Sequence, residues 1–201
     1  MKWKLYERLP QSVEYGGKRY RLRLTVANVL RYTDLCEDPQ GLTADDITEI
    51  GFAWFVKGGK RLPVWQKAEV ISLILREYIY PPQRKLNNRK PQSVVDFYQD
   101  SGYIYAAFMQ TYGIDLYEQA DRLHWCRFLA LFEGLPDDCM IKQIMGIRAQ
   151  DIPAPNNYNQ AEIQRITELK TLYALPTEDN PEDTQSGWSR LFDILEAKAG
   201  G

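Results

Sequence analysis

Along the chain, apolar positions first alternate and then recur every three to four residues. Residues 12–24 carry the period of two: Val13 and Tyr15 alternate before Gly16-Gly17, and Tyr20, Leu22 and Leu24 alternate after it. This predicts a β-hairpin, because two glycines supply the positive φ angles of a tight two-residue turn. Such a loop sets Val13 opposite Tyr20 on one face and Glu14 opposite Arg19 on the other, with Arg21 and Arg23 sharing the polar face. Exposed arginine rows are common, so that face reads as solvated.

Beyond the hairpin the period becomes helical. Val26, Val29, Leu30 and Thr33 follow i, i+3, i+4, i+7 spacing up to a stop at Asp38-Pro39. Thr43 and Asp46 form a start box for a helix carrying Ile47, Ile50 and Trp54, ended by Gly58-Gly59. Pro63 opens the next, where Trp65, Ala68, Ile71, Ser72 and Leu75 line up before Pro81-Pro82. Residues 81–91 hold four basic residues and no acid between prolines, a solvated loop or linker without aromatic residues for base stacking. Asp100 is placed to cap a helix with Ile104, Ala107, Phe108 and Tyr112 on one side, ending at Gly113.

Asp115 begins an element whose core runs from Leu123 to Phe132. Leu123, Arg127, Ala130 and Leu131 take one face and Trp125, Phe128, Leu129 and Phe132 another, which predicts a central, buried helix closed by Gly134 and Pro136. Asp137-Asp138 start a helix with Ile141, Ile144 and Met145 inward, ended by Ile152-Pro153. A last helix spans about 160–173 with Ile163, Ile166, Leu169 and Tyr173. Residues 176–187 are proline, acid and small polar, a linker; residues 188–201 follow with Trp188, Leu191, Phe192 and Leu195 on one stripe. At that length the stripe forms a helix only when docked, on its own domain, a second subunit or another protein. The pattern predicts a mainly α fold: a multi-helix globular domain over 1–175 with a small N-terminal β-hairpin, an acidic linker over 176–187 and an amphipathic helix over 188–201.

Composition narrows the classes. The formal net charge of −2 over 201 residues gives no global field for nucleic acid. A chain of this length buries roughly 70% of its unfolded surface, so it needs neither disulfide nor metal. Cys36, Cys126 and Cys139 are odd in number and not spaced as CxxC, so they read as reduced thiols. Charges at the N-terminus occupy the place of a signal peptide's apolar core, and no apolar stretch reaches the ~20 residues of a membrane span. The expected location is the cytoplasm.

Catalysis needs a convergent set of activated groups. His124 is the single histidine, and between Leu123 and Trp125 it reads as a satisfied helix-interior residue. No phosphate-binding loop of either common spacing is present, since Lys57-Gly58-Gly59-Lys60 lacks it. The acidic pairs Asp45-Asp46 and Asp137-Asp138 sit where they complement helix dipoles. The expectation is a non-enzymatic binding protein with no metal or cofactor.

The runs Tyr103-Ile104-Tyr105-Ala106-Ala107-Phe108, Tyr112-Gly113-Ile114-Asp115-Leu116, Leu123-His124-Trp125 with Phe128, and Gly134-Leu135-Pro136 resemble the small tailed-phage family called gene product fifteen. Leu9-Pro10 ahead of the hairpin and Ile147-Arg148 near Asp151-Ile152-Pro153 fit the same pattern over about residues 3–175. The resemblance implies a phage or prophage gene in the tail-morphogenesis cluster, just ahead of the tape-measure gene. It implies a role similar to tail assembly chaperones, which bind the long tape-measure protein, keep it from aggregating and help tail-tube subunits polymerise around it. The expected partners are the tape-measure protein, the tail-tube protein and further copies of the chain, with neither nucleic acid nor membrane. The expected location is the host cytoplasm and not the mature virion. The family carries no catalytic residues. A structural tail or connector component and a helical DNA-binding regulator are the alternatives. The side chains expected to contact a partner are Tyr103, Tyr105, Phe108 and Trp125 in the helical body, and Trp188, Leu191, Phe192 and Leu195 in the terminal stripe.

Overall fold

The computed structural model describes residues 8–59, 61–79, 94–156 and 158–175. In chain order its elements are β1 (Ser12–Tyr15), β2 (Lys18–Leu22), α1 (Val26–Glu37), α2 (Ala44–Phe55), β3 (Val56–Lys57), α3 (Val64–Ile74) with a π-helical turn (Leu75–Ile79), α4 (Ser101–Tyr112), α5 (Leu116–Gln119), α6 (Trp125–Glu133), α7 (Met140–Ala149) and α8 (Gln160–Leu172). The fold is mainly α with a small N-terminal antiparallel sheet, as the hydrophobic pattern predicts. The described residues group into two compact units. The first holds residues up to 79 together with 117–131; the second holds 94–116 and 132–175. No helix of the described residues is long and apolar enough to cross a membrane.

In the first unit the hairpin has the predicted register, with Val13 opposite Tyr20 and Glu14 opposite Arg19. Gly16 and Gly17 both have positive φ, 56° and 71°, which a side chain with a Cβ adopts only with strain. β3 adds a third strand, pairing Leu22 with Val56 and Arg21 with Lys57. Two residues are too few to show a period of two, so the pattern runs α2 on to Gly58-Gly59, whereas the helix ends at Phe55.

α2 starts as predicted. Thr43 Oγ1 accepts from the Asp46 N–H at 3.2 Å while the Asp46 carboxylate accepts from the Thr43 N–H at 2.9 Å. Its buried face is Thr48, Gly51, Phe52 and Phe55 rather than Ile47, Ile50 and Trp54. The reason is contact with α1: a Cβ on Gly51 would lie 2.2 Å from Tyr32 Cε2, so glycine lets the two helices approach around that ring. Trp65, expected inward on α3, is 54% exposed; Lys67, Ala68, Val70, Ile71 and Ile74 face the core instead. Lys67 tolerates burial because its ammonium donates to both oxygens of Glu49 at 2.7 Å.

Residues 120–125 return to the start of α1. The N–H groups of Val26 and Ala27, which a helix leaves unpaired, donate to the carbonyls of Leu123 and Ala120, each at 3.0 Å. The Trp125 N–H donates to Leu24, and Thr25 and His124 form an antiparallel bridge. His124 is therefore an extended residue before α6, not a helix-interior one. α6 is amphipathic rather than buried on most sides: Trp125, Cys126, Phe128 and Phe132 are buried, while Arg127 and Ala130 are exposed.

The second unit packs α4, α7 and α8 around Ile104, Ala107, Phe108, Leu135, Ile141, Ile144 and Ile166. α4 ends at Gly113 with φ 64°, and the Gly113 N–H donates to Met109 at 3.0 Å. Met145, expected inward, is half-buried, and Arg148 one turn further takes an interior position.

Candidate functional site

Arg148 organises the second unit. Its guanidinium forks onto Asp100, with Nη1 and Nη2 donating to the two carboxylate oxygens at 2.6 and 2.9 Å, and the side chains are 7% and 1% exposed. Nε donates to the Tyr173 carbonyl at 2.7 Å and Nη1 also to the Val94 carbonyl at 3.1 Å. Asp100 additionally accepts from the Asp96 N–H at 3.0 Å. Its side chain therefore does not cap α4, as its position suggests, because a buried guanidinium claims it. The Lys170 ammonium donates to the Arg148 carbonyl at 2.7 Å, satisfying a carbonyl at the end of α7.

Over this pair lies a groove of about 330 Å³ lined by Gln99, Asp100, Tyr103, Arg148, Leu172 and Tyr173. Gln99 is held there by a hydrogen bond from its amide to the Ala174 carbonyl, 3.1 Å. Tyr103 is 40% exposed and Leu172 70%. The outward stripe of α4, Gly102, Tyr103, Ala106, Met109 and Gln110, has no charge, and α4 as a whole has none. A solvent-facing helix surface ordinarily carries charged residues, so this uncharged stripe beside a groove of mixed apolar and polar lining is suited to docking a helix or extended segment.

The side chains singled out from the sequence divide. Tyr103 lies on the groove. Tyr105 is half-buried, its hydroxyl donating to Asp115 at 3.4 Å. Phe108 and Trp125 are 0% and 2% exposed, so the expectation that they contact a partner is corrected. Phe108 meets Tyr112 edge-on in the second unit's interior, and Trp125 stacks on Phe128 in the first unit's. Their long apolar rings are core because α4 and α6 each present one face inward. Trp188, Leu191, Phe192 and Leu195 lie outside the described residues. The groove also takes Gln99 and Leu172, with Met109 on the adjoining stripe, residues that carry little sequence signal. Their one mark in the sequence is an apolar residue off the buried stripe of its helix, as Leu172 is off the stripe of Ile163, Ile166 and Leu169.

In the first unit a cavity of about 410 Å³ is lined by Arg23, Glu49, Phe52, Ala53, Val56, Lys57, Gly58 and Lys67. Burial shifts one histidine and two thiols of this unit toward their neutral forms. His124 Nε2 lies 3.1 Å from the Pro10 carbonyl and Nδ1 accepts from the Cys126 N–H at 3.2 Å, which selects the Nε2–H tautomer. Burial lowers its pKa, outweighing the Pro10 carbonyl, with Arg127 adding to the lowering. Burial pushes the Cys36 thiol up to about 12 and Cys126 to about 11, which disfavours the reactive thiolate. Among the described residues no three of His, Cys, Asp and Glu are grouped to hold a metal ion.

Residues 5–175 match the family described as Bacteriophage Gp15 protein. The chain belongs to the bacteriophage Gp15 protein family. The match spans both units and stops where the acidic stretch 176–187 begins. No curated protein and no solved structure matches the chain. For a phage Gp15 protein the groove at Arg148 falls within the family's own span, as do α4 and α8 around it.

Proposed function

We propose that this phage Gp15 protein is a non-catalytic tail assembly chaperone that binds the tape-measure protein in the host cytoplasm and promotes tube assembly around it, without entering the mature virion. The observation that carries the reading is the uncharged outer stripe of α4 beside the groove of Tyr103, Leu172 and Tyr173. A tape-measure chain exposes helical apolar stripes until the tube encloses them. A chaperone for it needs an apolar docking surface on a rigid base, and the Arg148–Asp100 pair is such a base. Several weak sites along one long chain hold it well, since each bound copy raises the effective concentration of the next. The tail-tube protein is the second partner in this reading.

The deciding experiment co-expresses the two genes. Tape-measure protein made alone is expected to aggregate, and with this chain to appear in a soluble complex carrying several copies of it, read by pull-down and size exclusion. A tape measure that stays insoluble, with no complex recovered across several fragments, sinks the reading. Mass spectrometry of purified particles that finds the chain at stoichiometric amounts makes it a structural tail component instead.

A further inference from the structure

The outer face of the three-stranded sheet places like charges against each other. Arg21 on β2 stands directly opposite Lys57 on β3, and Arg23 follows two residues on. Arg19, on the same face, is neutralised by Glu14 at 2.7 Å. Arg21 and Lys57 have no carboxylate partner among the described residues. Arg23 spends one guanidinium nitrogen on the Ala53 carbonyl and keeps the rest of its fork exposed. Like charges directly opposite on paired strands destabilise a sheet, so this arrangement lacks a local structural gain and is relieved by an anion. Arg23 and Lys57 also rim the cavity whose apolar floor is Phe52 and Val56, both 3% exposed. A ligand that suits the site carries closely spaced carboxylates with an apolar group next to them.

The chain itself contains such a stretch. Residues 176–187 hold Glu178, Asp179, Glu182 and Asp183 with no base, and Trp188 follows. We propose that the basic sheet face of one copy binds the acidic stretch 178–183 of a second copy, so that copies associate head to tail. The overall charge of −2 offers no field for a nucleic acid, whereas four carboxylates match the three uncompensated cations locally. A one-way contact leaves every pair with one free face and one free acidic stretch, which lets the association continue along a long partner.

The full chain is tested alone by sedimentation equilibrium over a wide concentration range at low and high salt. Its average mass is expected to rise with concentration and fall with salt. Lys57→Glu sets a carboxylate opposite Arg21, so the sheet keeps or gains stability while self-association weakens by at least about tenfold. A Glu178→Lys/Glu182→Lys variant is expected to lose self-association equally. Mixed together, the two variants still share one intact face and one intact stretch, and they should form dimers and nothing larger. A wild-type chain that is monomeric at every concentration overturns the proposal. So does a Lys57→Glu variant that associates like wild type, or a mixture that forms no dimer. If reversal of Arg84, Lys85, Arg89 and Lys90 alone abolishes association, the acidic stretch binds that segment and the sheet face is excluded. The sample contains no tape-measure protein, so this outcome and the chaperone reading stand or fall separately.

Discussion

The fork between Arg148 and Asp100 buries two opposite charges inside the second unit. Both groups are nearly free of solvent, and removal of either would leave the other buried without its opposite charge. Removing one partner of such a pair costs about 3–5 kcal/mol, while replacing both with apolar groups of similar volume is often neutral. Arg148→Met is therefore expected to lower the urea midpoint sharply, and Arg148→Met/Asp100→Leu to recover part of the loss. A double variant no better than the single one would show that the bonds to the Tyr173 and Val94 carbonyls matter more than the ion pair. His124 makes a pH-dependent contribution. Burial holds its folded pKa below the unfolded value, so the unfolded chain binds the proton more readily. Its contribution is present above the unfolded imidazole pKa of about 6.5 and is lost as the pH falls through the folded one. Unfolding free energy measured from neutral to mildly acidic pH should drop more steeply in wild type than in His124→Gln, and equal slopes would rule out this residue as the cause.

At the scale of elements, the two N-terminal helices of the first unit are capped by different means. α2 is capped from within its own sequence by Thr43 and Asp46, two reciprocal bonds three residues apart. Thr43→Ala removes the side-chain acceptor and is expected to cost about 1 kcal/mol in a denaturant titration, with the native structure otherwise unchanged. α1 instead has only Thr25 nearby, accepting from the Asn28 N–H at 3.3 Å, and takes the carbonyls of Ala120 and Leu123 for the remaining groups. The capping box is legible in the sequence because its partners lie within one turn. The cap of α1 is not, because backbone carbonyls some ninety residues away have no side-chain signature. The same reason hides β3, whose two residues become a strand only through β2.

For the molecule as a whole, surface and core variants should separate function from stability. Tyr103→Glu/Leu172→Glu places charge on the exposed walls of the groove and is expected to abolish recovery of soluble tape-measure complex with little change in melting temperature. Phe108→Ala empties a fully buried site and is expected to cost about 3–5 kcal/mol, lowering the yield of folded chain. Binding that survives the double variant at wild-type strength would move the docking surface away from this groove. Parallel melting curves and pull-downs on the same preparations make the comparison.

Elements whose information is local can be read from the chain alone. The hairpin register follows from Gly16-Gly17, the start of α2 from Thr43 and Asp46, the end of α4 from Gly113, and the mainly α class from the period of the apolar positions. The family is legible in the runs between Tyr103 and Pro136, and the match over residues 5–175 bears it out. Packing sets the inward faces of α2 and α3, where the apolar pattern misleads: Thr48, Gly51, Phe52 and Phe55 are buried on α2, and Lys67 and Val70 join Ala68 and Ile71 on α3. It leaves Trp65 at the surface, because apolar composition does not reveal which of several apolar sides finds a neighbour. It also decided the ion pair between Asp100 and Arg148. Both residues read as ordinary helix-end polar groups, and only packing 48 positions apart takes them out of water and makes each the other's necessary partner.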